Sequence, residues 1–260
     1  MNQEQLLEAA EKALEAGDPV RALETLGQVA GDPELEELRG IAHMQLAQWP
    51  DARAAFRESA RLDGSSPGPW VGLAYCAFET LDLDEAEATA AEALGREPEA
   101  AGAYEILGLI HERRGDFERA DAAFARATEL DPQDYPAATR MSTDDFEAFV
   151  AQTIDALPNR FRDHIARVAV IIEPVPADED LNDDLSPTIL GLFAGAMITE
   201  ESHLDPTPSL PPRVVLYQRN LERHGESPEQ LAEDIQVTVL HELAHLFGHE
   251  DDAMEDMGLA

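Results

Sequence analysis

In the first half of the chain, small apolar residues recur at the spacing of helix faces, and the whole pattern repeats every 34 residues. Trp70 and Tyr104 are one period apart, and so are Ala86 and Ala120. Further pairs at this offset are Leu73 with Leu107, Ala74 with Gly108, Ala93 with Ala127, Pro98 with Pro132, Gly40 with Ala74, Ala52 with Ala86 and Phe56 with Ala90. Such a period predicts stacked helical hairpins, because one hairpin cannot bury its apolar face alone.

The clearest copy of the repeat is AYEILGLIHERRGDFERADAAFARATELDP, which resembles the tetratricopeptide repeat. Small residues stand where two helices would cross, large ones lie between them, and a proline closes the unit. Two looser copies precede it, and LLEAAEKALEAGDPVRALETLGQ is a shorter first copy. We therefore expect an α-helical solenoid of about four hairpins within residues 1–134. The resemblance implies a concave side that binds a peptide or a partner protein.

Three residues of the repeats could carry chemistry, but each has a simpler interpretation. His43 and His111 fall at equivalent places on first helices. A metal role is open for them, and packing between helices is the ordinary role. Cys76, the only cysteine, is expected to be a small buried apolar residue. A single thiol cannot form a disulfide within the chain, which is typical of a reducing compartment.

The hydrophobic pattern changes after Pro132, where the period stops. A polar segment that contains Pro136 predicts a linker over residues 135–141 and a second domain over residues 142–260. The stretch FEAFVAQTIDALP has helical spacing. The β-branched run at 167–173 predicts a strand, and the apolar runs at 189–195 and 213–218 predict two more. The last of these runs, RVVLYQ, is a candidate edge strand for an extended peptide.

A final amphipathic helix is predicted over residues 228–247. Ser227 followed by Pro228 and by Gln230 is the pattern of a capping box with proline in the first turn. Gly248 is a suitable residue for the left-handed end of this helix.

Two histidines on this helix, His241 and His245, lie one turn apart on one face. Both imidazoles can therefore reach one zinc ion, at about 2.0–2.1 Å from each nitrogen. Glu242 points to the neighbouring side, where it can hold a water molecule without binding the metal. The pattern indicates a Zn²⁺ site in which Glu242 moves protons.

The residues alone leave several candidates for the third metal ligand. His249 would extend the helical ladder only if the helix continued through Gly248. Asp251 lies six residues after His245, where zincins with the pattern HExxHxxGxxH place their third histidine. Asp252 is its neighbour, and Glu250 is a further carboxylate. We favour Asp251 over Asp252, and both over His249 and Glu250, because a chain that turns back at Gly248 can present Asp251 to the ion and carboxylate is an established zinc ligand.

Residues 142–260 resemble the small bacterial zincin-like metallopeptidase family, also described as a minimal zincin. The resemblance is carried by FEAFVAQTIDALP, VAVIIE, LGLFAGAMITEES, PPRVVLYQRNLER and VTVLHELAHLFGHEDDAMEDMGL, in that order. It implies an α+β zincin core with a small mixed sheet over the HExxH helix. It also implies zinc ligation by His241, His245 and Asp251, with Glu242 as catalytic acid and base. Many members carry a second histidine where this chain has Leu246, which should not be a ligand.

Two functions follow from these patterns. The first is a zinc-dependent peptidase that cleaves a peptide or protein substrate, with repeats that recruit protein. The alternative is an adaptor that binds a partner through the repeats and holds zinc without turnover. Glu242 favours the peptidase, because a structural zinc site needs no acid or base beside its ligands. Two features favour the adaptor instead. Few residues follow Asp251 to form the far wall of a substrate cleft, and no oxyanion-stabilising group stands out. Tyr217, Arg219, His203 and His224 are the candidates for that group.

Charge narrows the choice of partners. The chain carries 54 acidic and 18 basic residues, a formal net charge of −36. Such a surface repels phosphate backbones and anionic membranes, so we expect neither nucleic acid nor membrane as a partner. The N-terminal stretch lacks the basic start and apolar core of a signal peptide, and we expect a cytoplasmic protein.

Overall fold

The chain divides into two compact units, Met1–Pro136 and Ala137–Ala260. The structure is a computed structural model that describes residues 3–27, 29–159, 165, 168–181, 185–194, 213–225 and 227–246. In the last helix, side chains are described through Glu242. None of the helices in this part of the chain combines the length and hydrophobicity needed to cross a bilayer.

The first unit consists of eight helices in the described residues, paired as four hairpins. They are α1 (Gln3–Glu15), α2 (Pro19–Leu26), α3 (Pro33–Gln45), α4 (Trp49–Leu62), α5 (Gly68–Glu79), α6 (Leu83–Arg96), α7 (Ala101–Arg113) and α8 (Phe117–Leu130). Each odd-numbered helix contacts the next odd-numbered helix as well as its own hairpin partner. The odd-numbered helices therefore form one continuous face, as expected for a solenoid of stacked hairpins.

The short turn within each hairpin follows one design. Its central residue has a positive φ in all four hairpins: Gly17 (+68°), Ala47 (+52°), Leu81 (+58°) and Gly115 (+73°). Glycine adopts this left-handed conformation without steric cost, whereas alanine and leucine do not. In three of the hairpins an aspartate follows directly and accepts a backbone hydrogen bond at the start of the second helix. These aspartates are Asp18, Asp82 and Asp116.

Large rings pack on glycine where neighbouring helices cross, as the repeat pattern predicts. Phe56 of α4 is 1 % exposed. A Cβ added at Gly40 or Gly72 would lie 2.6 Å or 2.4 Å from the Phe56 ring, so only glycine permits this approach. Phe124 meets Gly108 in the same way two repeats later. These contacts explain why small residues recur with the 34-residue period.

The three candidate chemical residues of the repeats differ in burial. Cys76 is fully buried, as predicted, and burial raises the pKa of its thiol to about 11. Such a thiol is protonated at neutral pH and is a poor nucleophile. His43 is half-buried, and its Nδ1 lies 2.7 Å from Oε1 of Gln48. His111 is likewise half-buried within α7.

The second unit places helices against a small mixed sheet, as predicted. Helix α9 spans Thr143–Ala156 and begins at Ser142, whose Oγ accepts the Asp145 N–H. The strands are β1 (Ala169–Glu173), β2 (Gly191–Ala194) and β3 (Arg213–Tyr217), followed by α10 (Gln218–His224) and α11 (Pro228–Leu246). The core between α9, α11 and the sheet contains Phe146, Val150, Leu157, Val214, Leu216, Leu221, Leu231, Ile235, Val239 and Leu240.

The sheet order is β1–β3–β2, with β3 parallel to β1 and antiparallel to β2. The prediction that the RVVLYQ run is an edge strand is therefore wrong, since β3 lies in the centre and, among the described strands, β2 lies at an edge. Strand β3 is buried along most of its length, which suits a central position. The run also ends earlier than predicted, because Gln218 already begins α10.

Helix α11 matches its predicted start. The Ser227 Oγ accepts a hydrogen bond from the Gln230 N–H at 3.1 Å, and Pro228 occupies the first helical position. The second half of the predicted capping box is not made, because the Gln230 side chain donates to Asp234 at 2.9 Å. The predicted end at Gly248 lies outside the described residues.

The linker was predicted over residues 135–141, and hydrogen bonds fix the last residues of this range. Thr139 donates through its N–H to the Glu222 carbonyl and through Oγ1 to the Gly225 carbonyl, each at 2.8 Å. The Met141 N–H donates to Glu222 Oε1 at 3.1 Å. These bonds tie residues 139–141 to α10 within the second unit, whereas Pro136 and Ala137 are exposed.

We propose that the units fold separately and expect limited proteolysis to cut first between about residues 133 and 145, as exposed joints are cut before packed helices. The hydrogen bonds of Thr139 and Met141 place the preferred cut before residue 139. Mass spectrometry of early proteinase K fragments measures this. First cuts inside residues 60–120 would contradict the division.

Candidate active site

The buried face of α11 determines where the HExxH residues lie. Leu231, Ile235 and Val239 are fully buried in the core at intervals of one turn. Glu242 continues this row and is 9 % exposed, whereas His241 lies on the adjoining, half-buried face. The helix thus directs a carboxylate toward the sheet and an imidazole beside it.

A hydrogen bond fixes Glu242 to the sheet. The backbone N–H of Phe193 in β2 donates to Glu242 Oε2 at 2.7 Å. The pairing of β2 with β3 explains why this N–H is available. The Tyr217 N–H donates to the Leu190 carbonyl, so Leu190 and Leu192 direct their backbone groups toward β3. The backbone N–H and C=O groups of Gly191 and Phe193 therefore point away from β3, to the side where Glu242 lies.

A glycine sets the distance between β2 and α11. A Cβ added at Gly191 would lie 2.6 Å from Cγ2 of Thr238 and 3.0 Å from the Val215 carbonyl oxygen. Thr238 lies one turn before Glu242 on the same helix. The absence of a side chain at Gly191 therefore allows the strand to approach closely enough for the Phe193–Glu242 bond.

The predicted metal ligands are described only in part. His245 lies in α11 one turn after His241, but its side chain and the whole of Asp251 lie outside the described residues, as do His249, Glu250 and Asp252. Among the described side chains, no group of three His, Cys, Asp or Glu residues could hold a metal. The helical spacing of His241 and His245 fits two imidazole ligands of zinc. Glu242 fits the role of a non-ligand, since its carboxylate is bound by the strand.

Of the four candidates for oxyanion stabilisation, three are described. His224 bonds through Nδ1 to Asp234 Oδ2 at 2.9 Å. Arg219 follows β3 in α10, and its backbone N–H donates to the Pro174 carbonyl. Tyr217 is fully buried, and its hydroxyl has no hydrogen-bond partner among the described residues. His203 lies outside the described residues.

Tyr217 can act only as a neutral group. Burial raises the pKa of its hydroxyl well above the ordinary value, and the negative charges of Asp180, Glu173 and Glu242 raise it further. The hydroxyl therefore keeps its proton across the whole physiological pH range. Tyr217 lies close enough to Glu242 for the negative charge of that carboxylate to act on its hydroxyl, but it does not belong to the described lining of the cavity.

A cavity of about 530 Å³ adjoins His241 and Glu242. It is bounded by α11, by β2 and by the segment that leads into β2. Its described lining is Leu185, Ile189, Leu190, Gly191, Leu192, Phe193, Val237, Thr238, His241 and Glu242. The volume is within the range of about 300–1,000 Å³ that is common for ligand pockets.

Comparison with known proteins assigns a family to part of each unit. The model of the zincin-like metallopeptidase family matches residues 165–259, and the tetratricopeptide repeat model matches residues 37–93 and 73–135. The chain joins tetratricopeptide repeats to a zincin-like metallopeptidase domain. The sequence resemblances to both families are thus confirmed, and α11 with the three-stranded sheet belongs to the zincin-like domain.

Solved structures similar to this chain include two crystal structures of MamA. One is 21 % identical and covers 51 % of this chain and 80 % of its own, with a TM-score of 0.44. The other is 18 % identical and covers 63 % and 85 %, with a TM-score of 0.42. A MamA RS-1 double mutant is 22 % identical, covers 50 % and 75 %, and has a TM-score of 0.41. No protein with curated annotation matches the chain.

Sequence reasoning missed the backbone group that contacts Glu242. Phe193 lies in the LGLFAG block, which predicted a strand and nothing more. A signal was present in Gly191, because a glycine inside a predicted strand often marks the close approach of another element. The identity of that element required the structure.

Proposed function

We propose that the protein is a zinc-dependent peptidase whose repeats bind a partner or substrate protein. The observation that carries the proposal is the position of Glu242. Its carboxylate is nearly buried, is bound by the Phe193 N–H, and lies beside His241 at the wall of an open cavity. A carboxylate fixed in this way is suited to proton transfer, which requires defined geometry.

In the proposed reaction, His241, His245 and Asp251 hold the zinc ion. Zinc bound there would polarise the scissile carbonyl and lower the pKa of water to about 7. Glu242 accepts the proton of the attacking water and passes it to the leaving amine. The Phe193 N–H orients the Glu242 carboxylate through both transfers, and β2, an edge strand among those described, lies beside the substrate.

The ligand set gives the first test. We expect purified protein to bind one zinc per chain. Asp251→Ala should weaken zinc binding strongly, because a catalytic site with two protein ligands holds the ion poorly. His249→Ala and Asp252→Ala are the matched controls and should change zinc content little. Competitive chelation with a chromogenic chelator measures each affinity. Loss of zinc in His249→Ala but not in Asp251→Ala would mean that the helix continues through Gly248 and that the ligand set is wrong.

The second candidate function is an adaptor with a non-catalytic zinc site. One observation favours it: the buried Tyr217 hydroxyl, a candidate oxyanion-stabilising group, is not part of the described lining of the cavity. In this function the repeats bind the partner protein, and the zincin-like domain contributes zinc-stabilised structure. Cleavage of a broad peptide library by zinc-loaded protein at pH 6–9 separates the two. The absence of any cleavage that depends on Glu242 would leave the adaptor.

A further inference from the structure

The cavity beside Glu242 is lined mostly by apolar side chains, and its polar side chains all come from one helix. Six of its lining side chains are aliphatic or aromatic: Leu185, Ile189, Leu190, Leu192, Phe193 and Val237. The polar side chains are Thr238, His241 and Glu242, all on α11. The wall that faces the helix is therefore apolar, and the groups with proposed chemical roles lie on one side.

The exposure of Val237 indicates that the cavity is a binding site. It is 45 % exposed and is one of four large hydrophobic side chains exposed in the described residues. It also lines the cavity, next to Thr238 and one turn before His241. Scattered exposed hydrophobic residues need no explanation, but an apolar rim that continues an apolar cavity is typical of a binding site.

We infer that this cavity selects peptides by a large apolar side chain beside the scissile bond, with neutral or basic residues flanking it. The inference rests on the proposed peptidase function and names its substrate class. An acidic side chain would lose its hydration in the cavity, whose described lining offers it no cationic partner apart from His241. A basic side chain would lose its hydration too, and the carboxylate it meets in that lining is Glu242, which the Phe193 N–H already engages. The net charge of −36 repels acidic peptides and attracts basic ones, and this charge complementarity determines the flanking residues.

Binding of peptides to full-length zinc-loaded Glu242→Gln protein tests the inference without turnover. The probes are blocked, fluorescently labelled peptides that differ only at a central leucine, phenylalanine, glycine, lysine or aspartate, measured by anisotropy. We expect the leucine and phenylalanine peptides to bind about 10- to 100-fold more tightly than the glycine peptide. Lysine flanks should bind more tightly than glutamate flanks, with a difference that salt reduces. Equal affinity across the central series, or across the flanks, overturns the corresponding part of the inference.

A pair of variants locates the preference in the cavity. Val237→Asp adds a charge at the exposed rim, where the carboxylate stays hydrated and the helix is preserved. It should lower the ratio of leucine-peptide to lysine-peptide affinity by about tenfold or more. Gln236→Asp adds the same charge one residue away, outside the cavity lining, and should leave that ratio unchanged. An equal change in both variants would show a long-range charge effect and overturn the inference.

Cleavage by the wild-type protein separates this inference from the proposed function. Selective binding of apolar peptides without any cleavage leaves the cavity assignment in place and contradicts the peptidase. Glu242-dependent cleavage with no preference for an apolar residue supports the peptidase and contradicts the cavity assignment.

Discussion

Glu242→Gln should abolish most peptide cleavage while the protein keeps its zinc. A positioned general acid and base typically contributes about 10²–10⁴-fold to the rate, so the loss in kcat should be of that size. Glutamine has almost the same shape, and its side-chain oxygen can still accept the Phe193 N–H at the position of Oε2. The exchange therefore removes the carboxylate proposed to transfer the proton but leaves the contact between α11 and β2.

Two further variants make this test specific. Glu242→Ala should lose activity as well, but it leaves the Phe193 N–H without its acceptor, which costs about 1–3 kcal/mol if the group stays buried. Glu233→Gln removes a charge from an exposed position of the same helix and should retain full activity. Zinc content by mass spectrometry and kcat on a library-derived peptide are the measurements. Activity in Glu242→Gln equal to that of Glu233→Gln would exclude Glu242 as the proton-transfer group.

Phe56→Ala should destabilise the repeats by about 3–5 kcal/mol, a large part of the stability of a domain. The ring is 1 % exposed and fills the space over Gly40 and Gly72, so its removal leaves a cavity between two hairpins. Urea unfolding followed by circular dichroism measures the change. Because the solenoid is stabilised by contacts between neighbouring hairpins, the loss should spread beyond α4.

Phe146→Ala is the matched variant in the second unit, where Phe146 of α9 is fully buried in the core under the sheet. If the two units fold separately, each variant should shift one transition and leave the other in place. A single transition that both variants shift alike would contradict separate folding. Hydrogen exchange in the two variants identifies which helices lose protection.

Local patterns in the sequence predicted most of the elements, because their causes lie within a few residues. The period of 34 identified the hairpins, since Gly40, Phe56 and their equivalents recur wherever two helices cross. Ser227 with Pro228 marked the start of α11, because a side-chain cap and a proline act on the first turn alone. The HExxH spacing placed His241 and His245 one turn apart for the same reason.

Strand order and the neighbours of Glu242 were decided by the tertiary structure. The RVVLYQ run is compatible with a central strand as well as with an edge strand, and only its pairing with both β1 and β2 made it central. The turn residues Ala47 and Leu81 adopt a left-handed φ that their own preferences oppose, because the stacked helices hold the turn.

The sequence by itself determined which residues could carry chemistry: the helical HExxH face, the carboxylates that follow it, and the repeats. Only the tertiary structure decided that Glu242 meets the Phe193 N–H, that Gly191 permits this approach, and that an apolar cavity lies alongside. The physical reason is the separation along the chain over which each interaction acts. Helix periodicity and capping depend on residues within about four positions, whereas the Phe193–Glu242 bond joins residues 49 apart in the chain. No local preference encodes that separation, and the packing of α11 against the sheet creates it.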